Sequence, residues 1–258
     1  MHTEDIIFGR NTVLDALKNS DRVEKVFIQK GETQGSINEI KKLVKEKKIP
    51  IIEADRKKLD ELVKKADSKY TSNHQGIVAY VTDFEYCEVE DILEFAKSKN
   101  EPPFILILDG ITDAQNYGAI IRSAEVFGVH GIIIAKRNSA PVNSAVCKIS
   151  CGAVENIKIA KVANLNSAVE KLKKENIWVY CGVTDGQPVS ECDFSGGCAI
   201  VVGSEGEGVS QLIQKNCDHL VTIPMYGKTN SLNASVAAAI LMYESTKHKA
   251  QSTKHKYL

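Results

Sequence analysis

Five residues far apart in this chain carry side chains that could act together on one substrate: Asn116, Arg122, Glu205, Ser231 and Asn233. They offer one permanent cation, one carboxylate and three neutral hydrogen-bonding groups. Such a set suits orienting a hydroxyl beside a phosphate rather than activating a water on a metal. Each residue lies where an apolar strand runs into a loop and then a helix. The three junctions are 105-ILILDGITDAQNYGAIIRSAEVFGV-129, 199-AIVVGSEGEGVSQLI-213 and 222-TIPMYGKTNSLNASVAAAILMYES-245. Arg122 follows Asn116 by six residues on the helix that begins at the first loop, so both are expected to reach one mouth. Gly203, Gly206 and Gly208 let the backbone approach a ligand closely. Pro224 and Met225 with Leu232 offer apolar cover for a flat or thioether group, and exposed backbone amides suit an adenine edge. The three junctions are therefore expected to meet and form one small-molecule site beside a polynucleotide.

The elements that must hold these junctions are legible from residue 104 onward. FILILD (104–109), GIIIA (131–135), IKIAKV (157–162), IWVYCGV (177–183), CAIVVG (198–203) and HLVTIP (219–224) are apolar runs separated by helical patterns. Continuous apolar runs predict strands buried on both faces, hence a parallel sheet with helices on both sides. Ligands on such α/β sheets sit beyond the carboxyl ends of the strands, where all three junctions lie. Residues 1–82 alternate short strands with amphipathic helices and read as a separate small α/β domain. That stretch holds 16 Lys/Arg against 13 Asp/Glu, a net of +3. The acidic run 83-DFEYCEVEDILE-94 and Pro102-Pro103 mark a linker over 83–102. A second, larger domain is then expected over 103–246. Residues 247–258 form a basic tail, in which STKHK at 245–249 recurs at 252–256, and it reads as frayed.

Several functions are excluded. Formal net charge is zero, so no global field recruits nucleic acid and any RNA contact must be local. 203-GSEGEG-208 has the wrong spacing for a dinucleotide-binding turn, and Gly227-Lys228-Thr229 lacks the upstream glycine of a P-loop, because position 222 is Thr. Neither a G-x-S-x-G elbow nor an HExxH zinc motif is present. The seven cysteines form no CxxC pair, and Cys147 and Cys151, four apart, read as packing residues on one helix face. His219 reads as structural. No apolar run spans a membrane, and MHTEDIIFGR contains no signal-like apolar stretch, so a reduced, cytoplasmic protein without metal is expected.

Two spots in the first domain stand out from its lysine-rich, solvated helix faces. Gly9-Arg10-Asn11 at a helix start could hold a phosphate on backbone N–H groups with help from arginine. Ser72-Asn73-His74-Gln75-Gly76 is a polar turn that could read exposed bases.

Taken together, Asn116-Tyr117-Gly118-Ala119-Ile120-Ile121-Arg122, Gly203-Ser204-Glu205-Gly206-Glu207-Gly208, and Ile223-Pro224-Met225 with Ser231-Leu232-Asn233-Ala234-Ser235 resemble motifs 1, 2 and 3 of the SpoU/TrmH class of RNA ribose 2′-O-methyltransferases. Order, spacing and content all agree. Upstream, Ile7-Phe8-Gly9-Arg10-Asn11 and His74-Gln75-Gly76-Ile77-Val78-Ala79 resemble the substrate-binding domain of the branch that methylates a 23S rRNA guanosine. Ser204, where many relatives carry Ala or Asn, and Ala234, where Val is frequent, depart from the pattern without touching a proposed catalytic atom.

The resemblance implies an N-terminal domain similar to ribosomal protein L30e that binds RNA through Arg10, Asn11, Asn73, His74 and Gln75. It implies a C-terminal domain of the SPOUT superfamily with a deep trefoil knot, an exception to the rule of unknotted chains. S-adenosylmethionine is the implied cofactor, contacted by Gly203, Ile223 and Leu232. Asn116, Arg122, Glu205, Ser231 and Asn233 are the implied catalytic residues. A homodimer is implied, with motif 1 of one subunit serving the pocket of the other. The implied substrate is a 23S rRNA guanosine; tRNA, another rRNA nucleotide, or non-catalytic ribosome assembly remain alternatives. A dinucleotide-dependent enzyme is weakened by the failed glycine spacing.

Overall fold

The computed structural model describes residues 5–20, 22–33, 35–66 and 73–254. The chain divides into two compact units, one comprising residues up to Glu85 together with Pro141–Asn156, the other Tyr86–Ala140 and the remainder from Ile157.

The first unit contains β1 (Asp5–Phe8), α1 (Arg10–Asn19), β2 (Val23–Gln29), α2 (Ile37–Glu46), β3 (Ile51–Ala54), α3 (Arg56–Ala66) and β4 (Ile77–Val81). Its sheet runs β1-β4-β2-β3, with β4 antiparallel to both neighbours and β2 parallel to β3. Gly9 admits the chain to α1 at φ 94°, a conformation that other residues resist. On α2 the spacing Ile37, Ile40, Val44 places all three in the core, as helical periodicity dictates. Phe8, Phe27, Leu59, Leu62 and Val78 pack together on one side of the sheet.

The second unit is built on a six-stranded, all-parallel sheet in the order β10-β8-β9-β5-β6-β7. After α4 (Val89–Ser98) come β5 (Phe104–Asp109), α5 (Ala114–Val126), β6 (Gly131–Ala135), α6 (Ser144–Ile149), β7 (Lys158–Val162), α7 (Leu165–Lys174) and β8 (Trp178–Pro188). β9 (Cys198–Gly203), α8 (Gln211–Asn216), β10 (His219–Thr222) and α9 (Ala234–Lys254) complete it. Of these, α6 falls within the segment that belongs to the first unit. Residues Phe104 to Leu108 are all buried, so both faces of the central strand are covered. Each of the six apolar runs read in the sequence forms a strand, and β8 continues beyond its run to Pro188.

Three expectations need correction. The stretch 83–102, read as a linker, contains a helix over Val89–Ser98. Its acids serve the helix: Glu88 and Asp91 form a reciprocal capping box, while Val89, Ile92 and Ala96 are buried. Ile92 packs so closely on Gly131 that a Cβ there would come within 2.6 Å of it. Within the span 103–246, one segment groups elsewhere by its contacts. Pro141–Asn156 joins the first unit, where Arg22 pairs with Glu155 at 2.9 Å in a nearly buried bridge and Lys148 lies 4.4 Å from the Phe8 ring centroid. Cys147 and Cys151 share no helix face: Cys147 is buried on α6, whereas Cys151 lies past its end at φ 55° and is exposed. The basic tail is helical as far as Lys254, since Ala- and Leu-rich α9 continues through the first STKHK; residues 255–258 lie outside the described residues.

Candidate functional site

The first junction is fixed by a cap. Asp113 ends the loop after β5 and accepts a hydrogen bond from the Asn116 amide at 2.9 Å, which places the Asn116 side chain at the opening of α5. The third junction is fixed in the same way. Asn233 Oδ1 accepts from the Ser235 amide at 3.0 Å, the Ser235 hydroxyl at 2.6 Å and the Val236 amide at 3.3 Å, capping α9. Between them the second junction folds back on itself, with the Gly208 amide donating to the Ser204 carbonyl at 2.9 Å.

All three converge on one oxygen. Glu205 Oε1 accepts from Asn116 Nδ2 at 3.1 Å, from Asn233 Nδ2 in a short contact, and from the Ala234 amide at 3.4 Å. Asn233 Nδ2 also donates to Asn116 Oδ1 at 2.9 Å. Segments separated by 89 and 28 residues are thereby tied by charge-assisted hydrogen bonds. The sequence expectation that the junctions meet is realised here.

Beside this network lies a cavity of about 480 Å³, within the usual range for small-molecule sites. One wall is the backbone of Gly203 to Gly208. Ile223, Met225 and Leu232 supply apolar cover, Ser231 stands at the same loop, and Ala237 and Leu241 of α9 close the floor. The far wall is the part of β8 beyond its pairing with β9, with Thr184 and Asp185. These last two were not singled out in the sequence. The signal that could have found them is positional: β8 lies next to β9 in the parallel sheet, so its carboxyl end had to reach the same edge.

Of the expected site residues, Gly203, Glu205, Ile223, Ser231 and Leu232 line the cavity directly. Asn116 and Asn233 join it through Glu205. Arg122 does not line it and does not share a mouth with Asn116. Six residues along a helix is a rotation of about 600°, which leaves Arg122 roughly 120° round α5 from Asn116. Arg122 is exposed there.

In the first unit, Arg10, Asn73, His74 and Gln75 do cluster. The Arg10 amide donates to Gln75 Oε1 at 3.0 Å, and Arg10 Nε donates to the Gln75 carbonyl at 2.9 Å. Arg10 Nη2 pairs with Glu32 at 3.0 Å, and the Gln75 amide donates to Asn73 Oδ1 at 3.1 Å. His74 corrects the expectation of a base reader. Only 4% exposed, its Nδ1 accepts from the Gly76 amide at 3.0 Å and its Nε2 faces Asp60 at 3.2 Å. Burial holds the ring below its ordinary pKa, against the pull of the Asp60 carboxylate. It therefore shapes the turn; Asn11 on α1 is exposed, and Ser72 lies outside the described residues.

Replacing Glu205 by alanine would remove the acceptor on which the junctions converge. The expected result is about tenfold weaker ligand binding in the cavity, the equivalent of ~1.5 kcal/mol for one charge-assisted hydrogen bond, with the melting temperature nearly unchanged. Calorimetric titration of the variant checks this, and an unchanged affinity would show that the network does not shape the cavity.

Residues 103–243 match the model of the SpoU rRNA Methylase family, and residues 6–87 match the model described as RNA 2′-O ribose methyltransferase substrate binding. The chain is 40% identical over 241 residues to YacO of Bacillus subtilis (strain 168), named as a TrmH family tRNA/rRNA methyltransferase; the match covers 93% of this chain and 94% of that protein. A protein similarly named in Staphylococcus aureus (strain COL) is 39% identical over 245 residues, covering 93% and 95% of the two chains. Among solved structures, the SpoU methyltransferase AviRb of Streptomyces viridochromogenes, in complex with AdoMet, superposes with a TM-score of 0.78 at 21% identity, covering 95% of this chain and 90% of that one. An AdoMet-bound rRNA methyltransferase of Sinorhizobium meliloti superposes with a TM-score of 0.76 at 20% identity, covering 95% and 87%. At those identities the likeness bears on the fold.

Proposed function

We propose, because this chain belongs to the SpoU rRNA methylase family of TrmH-type RNA methyltransferases, that it methylates a ribose 2′-hydroxyl of RNA, using S-adenosylmethionine, and that its target is a guanosine of 23S rRNA. The observation that carries this reading is the convergence of three junctions on Glu205 Oε1 beside a cavity of about 480 Å³.

The cavity suits the cofactor. A nucleoside is flat and needs backbone partners at close approach. Gly203 to Gly208 offer such backbone along one wall, and Gly203 lets the loop seat there, because a Cβ on it would occupy the space of the Gly208 and Val209 backbone. Ile223, Met225 and Leu232 offer the apolar surface that an adenine and a thioether chain prefer, and the Asp185 carboxylate can accept from ribose hydroxyls or an ammonium group. When bound, S-adenosylmethionine supplies an electrophilic methyl group on a sulfonium. Asn116, Glu205 and Asn233 hold the walls in place, and Ser231 stands at the lip to hydrogen-bond the ribose. Arg122 holds the substrate phosphate and orients the 2′-hydroxyl, so its contribution is positioning. Arginine stays protonated in proteins, and this favours phosphate binding over action as a free base.

The reading includes a homodimer. On α9, Val236 and Tyr243, seven residues apart, are exposed on one face, and the Phe127 and Tyr243 rings lie 6.2 Å apart. On neighbouring α5, Val126 is 69% exposed and lies four residues after Arg122, on the same helix face. Docking that apolar face against a second copy would bring Arg122 to the partner's cavity. The trefoil knot belongs to the same reading, supported by the return of Ser231–Asn233 from the sheet-edge strand β10 to the loops after β9 and β5. So does a cytoplasmic location, where the RNA would be met; no described helix is long and apolar enough to cross a membrane.

Two measurements test the proposal. Calorimetric titration should give saturable binding of S-adenosylmethionine, and its absence would favour a non-catalytic assembly factor. Mapping of 2′-O-methyl groups on total RNA with and without the protein should show loss at a 23S guanosine. Loss confined to tRNA would reassign the target.

A further inference from the structure

The cavity's mouth carries an aromatic side chain that the roles above leave unused. Tyr226 follows cavity-lining Met225 in the loop between β10 and α9 and is 97% exposed. Next to it, nothing outside the local chain comes within 4 Å of where a Cβ on Gly227 would sit. Lys228, Thr229 and Asn230 are exposed beside it, and Lys228 has no ion-pair partner among the described residues. Burying a tyrosine is favourable, so one held almost wholly in water at a site mouth calls for an occupant. A protein interface would surround it with further apolar residues. Here the one large apolar residue next to it in sequence is Met225, which lines the cavity, and the exposed residues that follow are a lysine, a threonine and an asparagine, which suit a polyanion bearing flat bases.

A second feature lies across the mouth. Lys136 and Arg137 are exposed directly after β6, and neither has an ion-pair partner among the described residues. The next residue, Asn138, turns at φ 58°, and its side chain flanks Gly110 together with Ser204 of the second junction. The basic pair is thus anchored to the loops that build the site. The ends of β10 and β6 are four inter-strand steps apart, roughly 19 Å, with the cavity between them.

We infer that the RNA strand crosses the carboxyl edge of the sheet between these points, with one base stacked on Tyr226 and its phosphate backbone gripped by Lys136 and Arg137. This rests on the methyltransferase reading and adds the substrate's path to it. Stacking tolerates any base, so Tyr226 contributes affinity and register, not sequence choice.

The test uses the full-length protein and total ribosomal RNA from a strain lacking it. Tyr226→Ala should raise the KM for RNA roughly 5- to 150-fold, while kcat and the affinity for S-adenosylmethionine stay at wild-type values. Tyr226→Phe should restore the wild-type KM and Tyr226→Leu should not, a distinction that a merely structural role would not produce. In equilibrium RNA binding, Lys136→Gln with Arg137→Gln should reduce the slope of log affinity against log salt by about 1.4. An unchanged KM in Tyr226→Ala, or an unchanged salt slope, overturns the inference. So does a Tyr226→Ala protein that sediments as a monomer where the wild type is a dimer, because Tyr226 would then be an interface residue. A wild-type protein that binds RNA but neither binds cofactor nor methylates would instead overturn the underlying reading, and the RNA-binding comparison would still judge this one.

Discussion

An Arg122→Ala protein should bind S-adenosylmethionine with wild-type affinity and transfer methyl groups on the order of 10³-fold more slowly. The two halves of this expectation come from the same geometry. Arg122 lies outside the cavity lining, so its removal leaves Gly203, Ile223 and Leu232 untouched. It shares a helix face with exposed Val126, the face that the homodimer reading docks on a second copy. Lysine in its place should recover only part of the rate, because a point charge lacks the planar fork that holds a phosphate in two bonds. The homodimer reading adds a sharper test. Arg122→Ala mixed with a cavity-filling Leu232→Trp variant should regain about a quarter of wild-type activity, since each mixed dimer holds one complete site. If arginine acts within its own chain, the mixture stays inactive. Normal turnover by Arg122→Ala alone would remove this residue from the mechanism.

The orientation of Arg122 also shows where the sequence stopped being legible. Its distance from Asn116 in residues was plain, but six positions on a helix point elsewhere, and only the packing of α5 says where. The meeting of the junctions was readable because it follows from a general property of parallel sheets: loops that leave the carboxyl ends of neighbouring strands share an edge. Glu205, Asn116 and Asn233 needed only that. Helix α4 was hidden by its own cap, since Glu88 and Asp91 read as part of an acidic linker until Val89, Ile92 and Ala96 are seen to recur at helical spacing. The segment Pro141–Asn156 was hidden differently. Val142, Val146 and Val154 are buried, but an apolar pattern does not record which core receives it. Asp185 escaped because nothing in an isolated Thr-Asp pair distinguishes a cavity wall from a turn.

The second large effect is expected at Gly203. Its glycine is required by space, not by backbone angle. It has no positive φ, but a Cβ would fall on the backbone of Gly208 and Val209, and backbone cannot swing away as a flexible side chain can. Gly203→Ala must therefore push the 204–208 loop off its seat and carry Glu205 away from Asn116 and Asn233. The cost should reach ~3 kcal/mol or more, with a fall of roughly 10 °C in melting temperature and loss of measurable cofactor binding. Two neighbouring glycines separate this cause from a general intolerance of the loop. Gly206 has open space and no positive φ, so Gly206→Ala should be nearly neutral in stability. Gly208 also has open space but sits at φ 66°, so Gly208→Ala should cost only the ~1 kcal/mol of a left-handed alanine. The order Gly203 far above Gly208 above Gly206, read from thermal melts and calorimetric titrations of the three variants, is the signature of a loop pressed against the end of β9. A Gly203→Ala protein that melts normally and still binds cofactor would mean that this loop is not the cavity's wall.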